Sequence, residues 1–225
     1  MYMAKTILLA GASGLVGSNI LKELKKTNVR LISLARKKLC VNEGIEEIVC
    51  DFDQINKLKS EIIFDEVYIA IGSKLNLYEL LYIKKSKRCD FRKTDLDFIK
   101  NVAVFAKKNG AKSIALVSAV GANHKSSNTY LNIKGKTERE IISLGFSKSI
   151  IAQPSHLLGE RQKEKIKLNV YLFEKITNLF GFLMIGPLSK FRNVSASNVA
   201  KAMIAKMNES SDGVQYLNFN IFKLY

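Results

Sequence analysis

The sequence has few of the residues that form disulfides or metal sites. It contains three cysteines and two histidines. Cys40, Cys50 and Cys89 form no C-x-x-C pair, and an odd, scattered set argues against both a disulfide framework and a zinc site. His124 and His156 stand alone, so no metal site can be built on them. No signal-peptide pattern precedes the first apolar run, and the expected location is the reducing cytoplasm.

Proline and flexible linkers are also scarce. Two prolines occur in 225 residues, and no Gly/Ser-rich or Pro-rich stretch divides the chain. Hydrophobic residues make up 47% and charged residues 25%, as in an ordinary globular protein. We therefore expect residues 1–225 to form a single domain, a length that can bury a substantial core.

Basic residues outnumber acidic residues. The chain has 36 Lys and Arg and 20 Asp and Glu, which gives a formal net charge of +16. Such an excess attracts polyanions, so nucleic acid and anionic membrane surfaces come into question as partners. The lysines are spread along the chain rather than gathered in a patch with aromatic residues. We interpret the charge as a solvated surface or as a basic field that draws in an anionic cofactor. Neither nucleic acid nor a membrane surface is the favoured partner.

The stretch from Ile7 to Ile20 carries the clearest local signal. A short apolar run ends in Gly11, Gly14 and Gly17, after which apolar residues recur every four positions, as on one face of a helix. In a strand, turn and helix of this kind, Gly11 permits the sharp turn, Gly14 the close approach of a phosphate and Gly17 tight packing of helix on strand. The helix N-terminus then faces the anion. The spacing is G-x-x-G-x-x-G rather than G-x-G-x-x-G, and a purely structural turn is the alternative.

Residues 29–35 form the next β-rich run, which ends in a basic tip at Arg36. In a dinucleotide-binding fold an acidic residue at this tip holds the 2′-hydroxyl of NAD, whereas an arginine holds the 2′-phosphate of NADP. Arg36 therefore predicts NADP(H) in preference to NAD(H), with a charged loop as the alternative. After a third strand at 45–49, Asp51 and Phe52 are expected near the adenine, although either Asp51 or Asp53 can equally cap a short helix.

A fourth strand is expected at 67–71, and it leads into Gly72 and Ser73. The carboxyl ends of strands line the ligand crevice of an open parallel sheet. We therefore expect Ala70, Gly72 and Ser73 to lie close to the cofactor.

Strand and helix patterns alternate along the remaining chain. Further strands are predicted at 113–117, 149–152 and 214–219, and further helices at 94–109, 128–144 and 197–207. This rhythm predicts an α/β fold, a doubly wound parallel sheet of about seven strands with right-handed crossovers.

Three polar residues suggest a catalytic site. Tyr130 and Lys134 are four apart and share one face of the predicted helix, and Ser118 precedes them at the end of a strand. Such a trio suits carbonyl reduction: Ser118 binds the substrate oxygen, Tyr130 delivers a proton, and Lys134 lowers the pKa of the phenol and holds a ribose hydroxyl. An exposed helix face is the alternative interpretation.

A second Y-x-x-x-K pair, Tyr171 and Lys175, has the same spacing. The residue twelve positions before Tyr171 is Gly159 rather than a serine, and this pair follows the sixth predicted strand. We therefore assign the catalytic pair to Tyr130 and Lys134.

The glycine-rich turn, Ser118, Tyr130, Lys134 and the run from Gln153 to Gln162 together resemble the atypical short-chain dehydrogenase/reductases. More narrowly, they resemble the compact NAD(P)-binding branch related to the Tat-interacting oxidoreductase-like proteins. The resemblance spans nearly the whole chain. It implies a single-domain, seven-stranded Rossmann sheet that binds NADP(H).

The resemblance also implies which residues adjoin the cofactor. These are Gly11, Ser13, Gly14, Leu15, Val16, Arg36, Asp51, Gly72, Tyr130, Lys134 and Pro154. Ala12, Gly17, Phe52, Ala70, Ser73 and Leu157 adjoin these positions and complete the candidate cofactor-binding set. The chain departs from the branch at Gln153, where arginine is usual. It also lacks the long C-terminal extension with which sugar-nucleotide epimerases of the superfamily hold their substrate, so epimerisation is not expected.

The C-terminal third is rich in apolar residues between Ile166 and Ile185. Lys and Glu interrupt the first half of this run, which argues against a transmembrane span. We expect part of the core or a lid over the nicotinamide, with a membrane anchor as the alternative. Residues 160–225 are expected to form a small helical, substrate-side portion.

These observations predict an NADPH-dependent oxidoreductase that reduces a small carbonyl substrate. The rival hypothesis is a non-catalytic NADP(H)-binding sensor or assembly factor that gates a protein or membrane partner, suggested by the basic charge and the apolar C-terminal run. Related folds often pair through their helices, which leaves a homo-oligomer open.

Overall fold

The computed structural model describes residues 4–38, 45–58, 60–159 and 192–225. The strands are β1 (Thr6–Ala10), β2 (Arg30–Ala35), β3 (Glu46–Val49), β4 (Glu66–Ile69), β5 (Ser113–Val117), β6 (Lys148–Ala152), β7 (Leu157–Leu158), β8 (Val194–Ser195) and β9 (Gly213–Leu217). The helices are α1 (Leu15–Leu24), α2 (Leu77–Leu81), α3 (Arg88–Arg92), α4 (Phe98–Lys108), α5 (Thr129–Ser143), α6 (Ala196–Asn208) and α7 (Phe219–Phe222).

Seven of these strands form one sheet in the order β3-β2-β1-β4-β5-β6-β9. Every neighbouring pair in it is parallel. The strand order reverses between β1 and β4, which makes that junction the topological switch point of a doubly wound sheet. The predicted α/β architecture, a Rossmann-like sheet of seven strands, is confirmed.

Side chains of β1 alternate between two hydrophobic layers, as the period of a strand requires. Ile7 and Leu9 pack with α1 and α6 on one face of the sheet. Leu8 and Ala10 pack with α4 and the C-terminal part of α5 on the other face. Because both faces are covered, the central strands are apolar on both sides, and that explains the short continuous apolar runs in the sequence.

The helical region before β5 differs from its prediction. The sequence predicts one helix over 94–109, whereas α4 is preceded by a π-helical turn, Lys93–Asp97, and by α3. The wider turn interrupts the 3.6-residue period. Phe91 and Leu96 therefore belong to a small cluster beside α5, whereas Phe98 faces the main core.

Residues 192–225 complete the sheet and one of its helical layers. β9 pairs with β6 at the sheet edge, and α6 packs against α1. The rest of the expected substrate-side portion, with the apolar run 166–185 and the pair Tyr171 and Lys175, lies outside the described residues. Among the helices that the structure describes, none combines the length and hydropathy that a membrane span requires.

Two glycines of the first turn have no room for a side chain. Gly11 has a φ of +92°, and a Cβ there would lie 2.6 Å from the carbonyl carbon and oxygen of Ala70. A Cβ on Gly17 would lie 2.0 Å from the carbonyl oxygen of Gly11. The obstacles are backbone atoms in both cases, so a rotamer change cannot relieve them. Gly17 therefore lets α1 lie directly against the turn that follows β1.

Replacing Gly17 with alanine is therefore expected to separate α1 from the turn and to lower the free energy of unfolding by about 3 kcal/mol, the upper end of the usual range for overpacking. Urea denaturation followed by far-UV circular dichroism measures the change. Gly72→Ala is the matched control, because a Cβ on Gly72 meets its nearest neighbour at 3.4 Å, an ordinary contact. Equal stability of the two variants would contradict the packing argument.

Candidate functional site

A crevice of about 740 Å³ opens at the carboxyl ends of the strands, at the switch point between β1 and β4. Its wall includes nine of the residues that the sequence predicts for cofactor binding: Gly11, Ala12, Ser13, Gly14, Arg36, Asp51, Phe52, Ala70 and Gly72. Ligands of doubly wound sheets bind at this position. The first turn, the end of β2 and the end of β4 thus meet around one cavity, as the sequence predicts.

The N-terminus of α1 at this crevice is built to receive an anion. Gly14 is the N-cap and provides no side-chain hydrogen bond, and the first turn of α1 carries no acidic residue. The first N–H groups of a helix have no partner within the helix, and the helix dipole adds a partial positive charge there. A dinucleotide pyrophosphate fits both properties.

The other predicted cofactor residues do not form part of this wall. Leu15, Val16 and Gly17 make up the first turn of α1, and the side chain of Val16 is buried in the core. The carbonyl of Pro154 accepts a hydrogen bond from the N–H of Val120 at 2.9 Å. Leu157 lies in β7 and packs against the core. The roles of these residues in cofactor binding stay predictions.

The end of the crevice beside β2 is basic. Arg36 and Lys37 are exposed there, and no described acidic residue occupies the tip of β2. The Arg36 guanidinium and the Lys93 ammonium each lie 5.5 Å from the ring centroid of Phe98. Lys93 also pairs with Asp53 at 2.5 Å, so one acidic side chain of the crevice is neutralised. Asp53 caps no helix, since Gln54 is the N-cap of the following short turn.

A buried ion pair holds Lys134. Its Nζ lies 2.8 Å from Oδ1 of Asp95, and the two side chains are 8% and 2% exposed. Oδ2 of Asp95 accepts a hydrogen bond from the backbone N–H of Ser73 at 2.7 Å. The Thr137 hydroxyl donates to the Asp95 carbonyl oxygen at 2.6 Å. Asp95 therefore joins α5 to the loop after β4, and sequence reasoning missed it.

Gly72 connects this ion pair to the crevice. It lines the crevice wall, and a Cβ built on it would lie 3.4 Å from Oδ1 of Asp95 and 3.7 Å from Nζ of Lys134. The ammonium thus adjoins the cavity at the carboxyl end of β4. Gly72 and Lys134, which the sequence analysis each expects near the cofactor, thus lie close to one another.

The ionisation of Tyr130 differs from the expectation. Its ring packs 5.9 Å from that of Phe91, beside a small apolar cluster that includes Ile133. Burial raises the pKa of Tyr130, the charge of Lys134 opposes this, and Asp95 adds to the rise. Lys134 does lower the pKa of the phenol, in the direction that the sequence predicts, but burial raises this pKa by more and Asp95 pairs with the ammonium, so the net shift is upward.

Ser118 also has a partner that the sequence did not predict. Its hydroxyl donates a hydrogen bond to Oε1 of Glu138, and Nε2 of Gln153 donates to the same oxygen at 2.9 Å. Burial raises the pKa of Glu138, although the hydrogen bonds from Gln153 and Ser118 oppose the rise. The buried Ser118 and Glu138 and the half-buried Gln153 thus form a connected cluster beside Lys134.

The fold and the crevice define an α/β protein with a dinucleotide-type binding site beside the buried Lys134–Asp95 pair. The chain belongs to the NAD-dependent epimerase/dehydratase family, whose model matches residues 7–221. This membership supports a nicotinamide dinucleotide as the ligand of the crevice and an oxidoreductase-like activity.

Curated relatives agree with this assignment. Protein FMP52, mitochondrial, of Candida albicans is 31% identical over 198 residues, which cover 87% of this chain and 85% of that protein. The corresponding protein of Candida glabrata is 32% identical over 178 residues, or 78% of this chain and 74% of that protein. Protein HTATIP2 of Rattus norvegicus is 27% identical over 168 residues, or 72% of this chain and 66% of that protein. The resemblance drawn from the sequence is confirmed.

Solved structures share the fold. UDP-glucose 4-epimerase of Thermotoga maritima, determined with UDP-glucose, has a TM-score of 0.68 at 17% identity, covering 97% of this chain and 81% of that chain. The Bordetella bronchiseptica enzyme WbmH, determined with NAD⁺, has a TM-score of 0.66 at 14% identity, covering 96% of this chain and 76% of that chain. At this identity the similarity is one of fold alone.

The relatives correct one expectation. The absence of a signal-peptide pattern led to the prediction of a cytoplasmic location, and this prediction is wrong, because the FMP52 relatives from several yeasts are named as mitochondrial proteins. Composition and cysteine content do not distinguish one reducing compartment from another.

Asp95 is expected to control the ionisation of Tyr130. In Asp95→Asn the carboxylate that raises the phenol pKa is gone and the Lys134 charge is unshared, so the pKa of Tyr130 falls. The ionisation of the tyrosines is followed by ultraviolet absorbance. The titration curve of Tyr130 is obtained by subtracting the curve of the same protein carrying Tyr130→Phe. Asp97→Asn is the control, since Asp97 is partly exposed and lies 3.9 Å from Arg92. An unchanged or raised Tyr130 pKa in Asp95→Asn would refute the assignment.

Proposed function

We propose that this protein is an NADPH-dependent oxidoreductase that reduces a small carbonyl compound. The observation that carries the proposal is the position of Gly72, which lines the crevice and adjoins the buried Lys134–Asp95 pair. A nicotinamide dinucleotide whose pyrophosphate binds at the N-terminus of α1 extends along the carboxyl ends of the strands. That path leads past Gly72 to the face of α5 that carries Tyr130 and Lys134.

The proposed chemistry divides among three side chains. NADPH, when bound, supplies the hydride. Tyr130 donates the proton to the carbonyl oxygen, and Ser118 donates a hydrogen bond to the same oxygen. Lys134 holds a ribose hydroxyl and places positive charge beside the phenol.

The ionisation state of Tyr130 is compatible with a proton donor. Burial raises its pKa, so the phenol is protonated at neutral pH and serves as an acid. The reverse reaction, oxidation of an alcohol, needs a phenolate as base.

Turnover tests the proposal directly. Aldehydes, ketones and quinones are screened by the loss of NADPH absorbance, and the wild type is expected to reduce at least one of them. Tyr130→Phe is expected to lower kcat by about 10²-fold to 10⁴-fold, the range for loss of a general acid. Tyr78→Phe is the control, since Tyr78 is 84% exposed. Absence of turnover, or a Tyr130→Phe variant as fast as wild type, would reject the proposal.

NADPH binding without turnover has a separate meaning. It would favour the rival hypothesis, a non-catalytic sensor in which cofactor occupancy gates a partner. Thermal stabilisation by NADPH in a protein that reduces none of the screened compounds is the result that distinguishes the two.

A preference for NADP(H) is the second part of the proposal. Arg36 and Lys37 line the crevice at the end of β2, where the adenine ribose of a dinucleotide lies in this fold. A guanidinium pairs with a phosphate through two parallel hydrogen bonds, whereas the ribose hydroxyls of NAD need an acidic partner. The residue types at this tip support the 2′-phosphate.

NADPH is expected to raise the melting temperature more than NADH at equal concentration, and Arg36→Ala is expected to abolish the difference. Differential scanning fluorimetry measures both shifts. Lys38→Ala is the matched control, because it removes one positive charge from the same loop without altering the described crevice wall. Equal shifts with the two cofactors in the wild type would reject the preference.

A further inference from the structure

The hydroxyl of Ser118 is engaged by the protein. Ser118 lies just beyond β5, is 5% exposed, and donates its hydrogen to Oε1 of Glu138. Glu138 is 6% exposed and lies one helical turn beyond Lys134 on α5. Nε2 of Gln153, just beyond β6, donates to the same oxygen at 2.9 Å. One carboxylate oxygen therefore accepts from two strand ends.

This arrangement conflicts with the role of Ser118 in the proposed reaction. A serine hydroxyl has a single hydrogen to donate. An ionised Glu138 can only accept hydrogen bonds, so the serine hydrogen stays directed at the carboxylate. A protonated Glu138 can donate its own hydrogen to Oγ of Ser118, which frees the serine hydrogen for a carbonyl oxygen. The direction of this hydrogen bond depends on one proton.

We propose that Glu138 is a proton-dependent positioning residue, which determines whether Ser118 donates its hydrogen to the protein or to the substrate carbonyl. The inference rests on the proposed function, since it assigns Ser118 to the substrate oxygen. Glu138 acts through Ser118 and touches no reacting atom. Protonation of Glu138 prepares the site for reduction, and its ionisation withdraws the serine hydrogen.

The environment of Glu138 favours its protonated form. Within the described chain the groups that face it are Lys134 on its own helix, Ser118 beyond β5, Gln153 beyond β6 and Tyr216 on β9. Lys134 is the one cation among them, and Asp95 already pairs with it. Gln153 is neutral. Burial raises the pKa of Glu138 and brings its protonation closer to neutral pH.

The pH profile of carbonyl reduction tests the inference. As pH falls through the pKa of Glu138, wild-type kcat is expected to rise by about 10²-fold, the effect of one hydrogen-bond donor on a developing oxyanion. Glu138→Gln is expected to lack this step, because a neutral amide has no proton to gain or lose over this pH range and its hydrogen bond with Ser118 no longer depends on pH. Glu140→Gln is the control: Glu140 lies on the same helix, pairs with Lys100 at 2.7 Å, and leaves the step unchanged.

Gln153→Arg provides an independent test in the opposite direction. A guanidinium beside Glu138 stabilises the carboxylate, so the step is expected to move to lower pH. Should Glu138→Gln fail to fold, this variant decides the matter. A step that stays in place or moves to higher pH contradicts the inference.

Stability gives a measurement that needs no substrate. A carboxyl whose pKa is raised by folding stabilises the folded state below its unfolded pKa, and this contribution is lost as pH rises through the folded pKa. The melting temperature of Glu138→Gln relative to wild type is therefore expected to increase with pH over that window. A constant difference contradicts the inference.

Failure of the inference and failure of the proposed function are distinguishable. Turnover that depends on Tyr130, with the pH step still present in Glu138→Gln, rejects the role of Glu138 alone. Absence of turnover in the wild type rejects the proposed function and this inference with it.

Discussion

Backbone contact between the first βα turn and the end of β4 is the constraint on which the site depends. Gly11 turns with a positive φ against the carbonyl of Ala70, and Gly17 brings α1 against the carbonyl of Gly11. No side chain separates these segments, so the ends of β1 and β4 are fixed where the sheet changes direction. Gly72 follows two residues after Ala70. It lines the crevice and also adjoins Lys134, so the crevice lies next to this lysine. The position of the proposed catalytic face therefore follows from the close approach of these glycines at the carboxyl ends of β1 and β4.

Those parts of the fold that depend on local pattern could be predicted from the sequence. β5 spans the predicted residues 113–117, and the prediction for the helix of Tyr130 and Lys134 differs from α5 by one residue at each end. Strands buried on both faces give apolar runs, and helices between them give a period near four, so each element can be read from its own residues. The glycine-rich turn and the i, i+4 spacing of Tyr130 and Lys134 are local in the same sense.

Asp95 and Glu138 could not be predicted because their importance comes from contacts between distant segments. The Asp95 carboxylate accepts from Ser73, 22 residues away in the chain, and Glu138 accepts from Ser118, 20 residues away. Asp95 also lies in the π-helical turn, where the helical period that sequence patterns rely on is interrupted. A π turn inside an α-helical region is often associated with a functional position, but only the structure reveals it.

Two carboxylates thus contact two members of the proposed catalytic trio. Asp95 binds the Lys134 ammonium, and Glu138 holds the Ser118 hydroxyl. A buried ion pair whose other oxygen is also hydrogen-bonded is costly to break, so Lys134 is a fixed positive charge of reduced effect rather than a free cation beside the phenol. The protonation of Tyr130 is consequently governed by burial more than by its lysine neighbour. For the proposed reaction, this means that the packing around Tyr130, including the ring of Phe91, keeps the phenol in the protonated form that can donate a proton.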